Sequence, residues 1–408
     1  LYRLACRGKK IAELYANNIE ILNYAILALK ETPPAEQDSQ FIIGLLLGIN
    51  DNEIFENTLD EFLADSNIGA HSFNLVRIYP ATYLSFQKLF QLVDKEILSI
   101  EYFNNLKFGR PLENLSENEV SEFCQKIATY GLGGKWTAFS ILFMHCYERE
   151  DQWKYHQGLL RSLLSGYNLL KIKEQINIRE PFYWSAAVAK LLFETEDVQL
   201  ADVISSQLVE FCSDKFFSYG FDTYLHKVFS ILFNKYFNES WQHISVGIIT
   251  DSVVYLNLKS MIGGQNGWSK KGGILFENQS NYSSILNWCE DNEKGQLRIA
   301  YMMPLTQTRD TNNVEGIDSN EIEWHPFTIA FLDKFGSKEN VLDELTANMG
   351  SFGSVGSSVP YFLTQKRLLE KLLQHKSVTV KHWAKRMLEY NEKNIKMETL
   401  NDEQFGLD

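Results

Sequence analysis

From Trp324 onward, apolar residues recur at helical spacing in four successive segments, and no other feature restricts the fold of this chain more tightly. "WHPFTIAFLDKFG" sets Pro326 near a helix start and Gly336 as a stop, and "SKENVLDELTANMG" puts Ser337 and Asn340 in a capping region ahead of Val341, Leu342 and Leu345. "PYFLTQKRLLEKLLQH" then carries Tyr361, Leu368, Leu369, Leu372 and Leu373, and "SVTVKHWAKRMLEYNEKNI" carries Val380, Trp383, Ala384, Met387, Leu388 and Ile395. Residues at i, i+3, i+4 and i+7 share one side of a helix, so each segment has a single face to bury. Pro326 to Pro360 is 34 residues and Ser337 to Ser377 is 40, inside the roughly 34–47-residue range of two-helix repeats. One such hairpin cannot cover its apolar face, whereas stacked hairpins cover each other's. The expected fold is all-α: an α-solenoid of antiparallel helix pairs, HEAT- or TPR-like, with a few long loops.

Upstream segments repeat the helical signals. In "LSENEVSEFCQKIA" Ser116 is followed three residues later by Glu119, a capping box that satisfies free N–H groups of a first helical turn. "EPFYWSAAVAKLLFE" places Pro181 in a first turn, with Trp184, Val188, Leu191 and Leu192 at helical spacing. "FDTYLHKVFSILFNKYF" aligns Tyr224, Leu225, Val228, Ile231, Leu232 and Tyr236 along one stripe. Two segments interrupt the pattern. Residues 262–280 hold five glycines and read as an extended surface loop with room for a short hairpin, and residues 304–324 are polar and read as a long loop. The expected organisation is a helical-repeat region over 1–260, a loop-rich insertion with short helices over 261–323, and HEAT-like helix pairs over 324–408.

Composition excludes several function classes. Across 408 residues, 45% are hydrophobic and 22% charged, values of a folded chain rather than a disordered one. A net charge of −13 disfavours nucleic acid, because neutralising phosphates needs a surplus of Lys and Arg. One local exception runs from Tyr361 to Lys396, with nine basic residues against three acidic ones; a solvated helix face is its simplest reading. Five cysteines are scattered singly without a C-x-x-C pair, which fits the reducing cytoplasm. The longest apolar run, "FIIGLLLGI", is about half a membrane span. The opening "LYRLACRGKKIAELYANNIEIL" enters directly on helical sequence without an initiator Met, so the chain is expected to be the C-terminal part of something larger.

The residue patterns that usually carry chemistry do not complete themselves. "MGSFGSVGSSVPYF" offers Gly350, Gly353 and Gly356, but a phosphate loop needs a Lys next to its last Gly, and none follows before Lys366. Nor does Ser354 sit in a nucleophile elbow, because position 352 is Phe. In "GLGGKWT", Trp136 stands where Ser or Thr would be required, and a helix end running into the next helix explains the glycines. Eight histidines, at 71, 145, 156, 226, 243, 325, 375 and 382, match no metal-ligand spacing. His145 and Cys146 are neighbours, which on a helix point about 100° apart and do not form a dyad. Glu194, Glu196 and Asp197 read as helix-end caps. Neither catalytic, cofactor-binding nor metal residues are therefore expected, and the chain is read as a non-enzyme.

In "SVTVKHWA", Ser377, Val380, Lys381 and Ala384 resemble the second helix of a HEAT repeat, where a polar cap precedes V-[RK]-x-x-A. More widely, "ILNWCEDNEKGQLRIAYMMP", "EWHPFTIAFLDKFG" and the stretch from Val341 to Ala384 are similar to the closing region of large prokaryotic antiphage defence proteins of the STAND/NACHT or sirtuin type. The likeness covers roughly residues 255–400, and Ser351, Phe352, Gly353 and Ser354 look like that family's small-residue loop. It implies a C-terminal sensor arm, without catalytic residues or cofactor. The arm would bind a foreign, viral protein and control an upstream effector or NTPase module, with any oligomer formed through the full-length protein. Trp268, Lys270 and Lys271 are the candidate partner contacts, an aromatic beside two charges on a Gly-flanked loop; the alternative is that Trp268 pins its loop to the scaffold. Two rival readings are a scaffold without signalling and a nucleic-acid-handling or catalytic helical domain, the latter requiring the basic strip to form one face.

Overall fold

The computed structural model describes residues 2–171, 181–213, 221–264, 273–309, 321–351 and 357–405. The chain forms two compact units, residues 1–183 and 184–408, and the expected divisions near 260 and 323 both fall inside the second. Unit 1 contains α1 (Tyr2–Leu14), α2 (Asn18–Glu31), α3 (Gln40–Ile49), α4 (Asn52–Ala64), α5 (Ser72–Ile78), α6 (Tyr83–Lys88) and α7 (Phe90–Asp94), then α8 (Glu117–Ala128), α9 (Gly131–Cys146) and α10 (Glu150–Gly166). Unit 2 begins within α11 (Pro181–Glu194) and continues through α12 (Val198–Phe211), α13 (Phe221–Lys235), α14 (Phe237–Thr250), α15 (Ser252–Ile262), α16 (Tyr282–Asp291) and α17 (Glu293–Met302). A ribbon of β1 (Thr306–Arg309) and β2 (Glu321–Trp324) leads to α18 (Pro326–Phe335), α19 (Glu339–Gly350), α20 (Val359–Leu372) and α21 (Val378–Phe405). The protein is all-α; among the described residues that ribbon holds the only strands.

In unit 1, helices α1 and α3 pack together so closely that a Cβ on Gly44 would collide with the carbonyl of Ala5. Glycine at that position is a packing requirement rather than a loop signal. Further along, Phe86, Phe90, Phe103 and Phe123 form a buried ring cluster. Phe90 and Phe103 lie 5.6 Å apart, and Phe86 and Phe123 5.4 Å. Each fully buried ring contributes about 1.5–3 kcal/mol. The cluster seats the inner face of α8, whose Val120, Phe123, Cys124 and Ile127 are buried. The start of α8 is set by the expected capping box, in which Ser116 and Glu119 each accept from the other's backbone. The glycines after it serve the entry to α9, where Gly131 has φ +77°, a region costly for other residues.

In unit 2 the stripe on α11 is buried as expected at Trp184, Val188, Leu191 and Leu192. On α13 it is rotated: Leu225, Val228, Phe229, Leu232 and Phe233 face inward, whereas Tyr224 is exposed. Lys235, closing α13, donates to the carbonyls of Phe193 at 3.2 Å and Thr195 at 3.1 Å. It thereby satisfies acceptors that the end of α11 leaves open. In the C-terminal quarter the four expected helices appear, with Leu368, Leu369, Leu372, Val380, Trp383, Ala384 and Met387 buried, but Leu373 lies outside α20 and is exposed. Ser377 caps α21 by accepting from the Val380 N–H at 3.4 Å. The N-cap of α19 is Lys338 rather than Ser337, and no side chain bonds there.

Two expected loops are corrected. Residues 304–324 do not form a plain loop, because β1 and β2 pair antiparallel with Thr306 opposite Trp324 and Gln307 opposite Glu323. Two interactions hold this polar ribbon: Gln307 donates to Glu323 at 2.6 Å across the strands, and the buried Trp324 indole N–H donates to the Leu368 carbonyl at 2.8 Å. Residues 262–280 are not wholly a surface loop either. Ile274, Leu275 and Phe276 make a 3-10 turn and are buried, with the Phe276 ring 4.6 Å from Phe327.

Candidate functional site

The ribbon, α19 and α20 enclose a cavity of about 590 Å³ in unit 2. Strand residues Gln307, Ile322 and Trp324 form one wall, and Met349, Tyr361 and Leu368 another. The polar tips in these walls are already committed. The Tyr361 hydroxyl and the Gln365 amide both donate to the Met349 carbonyl, and the Asn348 amide donates at 3.0 Å to the carbonyls of Ala300 and Met303. With donors turned into the backbone, the surface left facing the cavity is mostly apolar. These bonds also hold the walls in place, so the space is built into the fold.

His325 sits at this cavity and caps α18, its Nδ1 accepting from the Phe327 N–H at 3.2 Å. Burial pushes the imidazole down to about 4, so it is neutral at pH 7 and free to accept. Glu277 is the one charged residue in the described lining. The cavity therefore suits an uncharged, largely apolar group with a few polar edges.

A second arrangement lies in unit 1. Glu117, in the first turn of α8, meets His145 from α9 and His156 from α10; Oε2 of Glu117 is 2.9 Å from His145 Nε2 and 2.6 Å from His156 Nε2. The His156 side chain is fully buried, His145 is 7% exposed and Glu117 30%. On its far side, His156 Nδ1 is 3.1 Å from the Ser121 hydroxyl. Burial alone would push the Glu117 carboxyl up, but the hydrogen bonds and charges of the two histidines outweigh it and hold the group below the usual carboxylate range. Burial pulls His156 down, with Glu117 opposing. The three ligating atoms all lie within 4.8 Å of one another, the geometry of a metal-binding group. His145 also lines a cavity of about 370 Å³ together with Glu113 and Arg149; those two are paired at 2.5 Å.

Trp268, Lys270 and Lys271 lie outside the described residues. So do Phe352, Gly353 and Ser354 of the small-residue loop, while Ser351 lines the unit 2 cavity. His145 and Cys146 do not face a common site: His145 turns to Glu117, and Cys146 is buried and in no disulfide. Asp197 caps α12, accepting from the Leu200 N–H at 2.9 Å. Within the basic strip, Lys366 pairs with Glu392 at 3.0 Å and Lys376 with Asp333 at 2.9 Å.

Spacing rules could not reveal the Glu117 cluster, because its histidines lie 28 and 39 residues from the carboxylate on separate helices. The cavity had one sequence signal, Trp324 embedded in a polar stretch. Comparison of the chain with protein-family models, curated proteins and solved structures finds no match.

Proposed function

We propose that the chain is a non-catalytic, polypeptide-binding arm of a larger antiphage defence protein, built as a solenoid of antiparallel helix pairs and controlling an upstream effector or NTPase module. A foreign protein would seat an apolar side chain in the unit 2 cavity. The observation that carries this reading is the cavity itself: about 590 Å³, within the roughly 300–1,000 Å³ of ordinary binding pockets. Its Trp324 and Tyr361 are the residue types that most often anchor interfaces. The packing of α20 against α21 supports a helix pair of that kind. Among the described residues no helix is long and apolar enough to cross a membrane, and none of the five cysteines is in a disulfide, which supports a cytoplasmic setting.

Selection of a displayed random-peptide library against the intact chain tests the binding function. The expected result is enrichment of peptides sharing one apolar anchor, with binding lost in T364W, which would fill the cavity from half-buried Thr364 on α20. No enrichment, or enriched peptides that bind T364W equally well, would overturn the assignment. The defence role is tested separately, by reading the coding sequence upstream of Leu1. An NTPase, nuclease-like or NAD-hydrolase-like module supports it; further helical repeats alone contradict it.

A further inference from the structure

We propose that Glu117, His145 and His156 form a three-ligand site for a divalent transition-metal ion, zinc above all, with a fourth position left to an exchangeable ligand. The site is independent of the unit 2 cleft and of the function assigned to it.

The donor set is the first argument. Two imidazole nitrogens and one carboxylate oxygen suit zinc and its first-row neighbours, whereas magnesium and calcium prefer oxygen alone. Two histidines and a glutamate with one open position is also a ligand count found in zinc sites that retain an exchangeable ligand.

Geometry is the second. Zinc bonds of about 2.0–2.1 Å in a tetrahedron place ligand atoms about 3.3 Å apart. Both imidazoles already aim Nε2 at Oε2 of Glu117, from 2.9 and 2.6 Å. Admitting the ion would lengthen these two separations by roughly 0.4 and 0.7 Å toward the tetrahedral value.

Ser121 supplies the third. In the metal-free protein the two histidines donate Nε2–H to Glu117, and the Ser121 hydroxyl donates to His156 Nδ1 across 3.1 Å. With a metal on Nε2, the proton sits on Nδ1 and is donated to the Ser121 oxygen. The same contact thus serves both tautomers of His156. A partner of this kind fixes the ring's orientation toward the ion. The carboxylate, for its part, lies in the first turn of α8, where the helix dipole stabilises its charge.

Exposure completes the case. His156 is sealed and His145 nearly so, whereas Glu117 is partly open, so an ion held among them would be reached from the Glu117 side. That side gives water or another exchangeable ligand access to the fourth position.

The test is titration of the chelator-treated, dialysed chain with cobalt(II) alone. A tetrahedral site with nitrogen donors gives an intense visible absorption that surface-bound, octahedral cobalt lacks. The expected result is saturation at one equivalent per chain, displacement by zinc, and loss of the band in E117Q and H156Q. Since His156 is buried and its variants could disturb the fold, S121A is the decisive companion. With an unchanged far-ultraviolet spectrum, S121A should bind cobalt about 10- to 100-fold more weakly. Absence of a saturable band, its persistence in E117Q and H156Q, or wild-type affinity in folded S121A would each overturn the proposal.

Discussion

His156 in unit 1 and His325 in unit 2 are both drawn below the ordinary imidazole range by burial, yet their surroundings answer in different ways. At His156 a carboxylate opposes the pull, and two hydrogen-bond partners, Glu117 and Ser121, occupy the two ring nitrogens. At His325 no charged partner opposes burial, and the value falls to about 4. Burial with a partner yields a polar cluster poised to hold a cation. Burial without one yields a neutral cap at the edge of an apolar cavity. The two units are thus built for different chemistry from the same residue type.

The contrast breaks hardest at Glu117. Glu117→Ala in the metal-free chain removes the acceptor shared by His145 and His156, leaving buried donors unmatched. The expected loss is about 3 kcal/mol of unit 1 stability, read as a lowered midpoint in urea unfolding. An effect below about 1 kcal/mol would mean that the histidines find other partners. In unit 2, Trp324→Phe removes the indole donor to Leu368 and detaches β2 from α20. A loss of about 1–2 kcal/mol is expected, together with weakened binding of any cavity-directed peptide.

pH sharpens the comparison. Because the folded value of His325, about 4, lies below the ordinary 6.5, the unfolded chain takes up the proton first. The stability this group contributes is complete above about pH 6.5 and drains away as the pH falls toward 4. Protonation also puts a hydrogen on Nδ1, which can then no longer accept from Phe327. Asn at a helix N-cap accepts equally well without titrating, so H325N should flatten this part of the pH profile in thermal melts. A profile unchanged by H325N would show that other groups govern it. The smallest expected effect is Lys235→Ala, about 1 kcal/mol, since only the carbonyls at the end of α11 lose a donor and they face partly open surface.

Much of the helical frame was legible in the sequence. Ser116 and Glu119 announce the start of α8, and the stripe on α11 and most of those on α20 and α21 are buried, because period 3.6 is a local property. Register around a helix was less secure. Tyr224 and Leu373 satisfy the spacing but end up exposed, for a stripe wider than the buried face always contains surplus positions. The ribbon escaped because each strand is only four residues long and β1 is wholly polar, too little for a period-2 pattern to stand out; what holds it is Trp324 reaching Leu368, a contact 44 residues away in sequence. The Glu117 cluster escaped for the same reason in stronger form. Three helices must pack before its three ligating atoms converge, and no motif spacing encodes that packing.

The claim that unit 1 carries a metal-binding cluster, distinct in chemistry from the unit 2 cavity, is tested most directly by anomalous X-ray diffraction at the zinc edge from crystals of the chain grown with zinc. The account predicts one strong anomalous peak within bonding distance of Glu117, His145 and His156. A well-ordered cluster with no peak, its Glu117 to histidine hydrogen bonds intact beside zinc bound elsewhere, would contradict it.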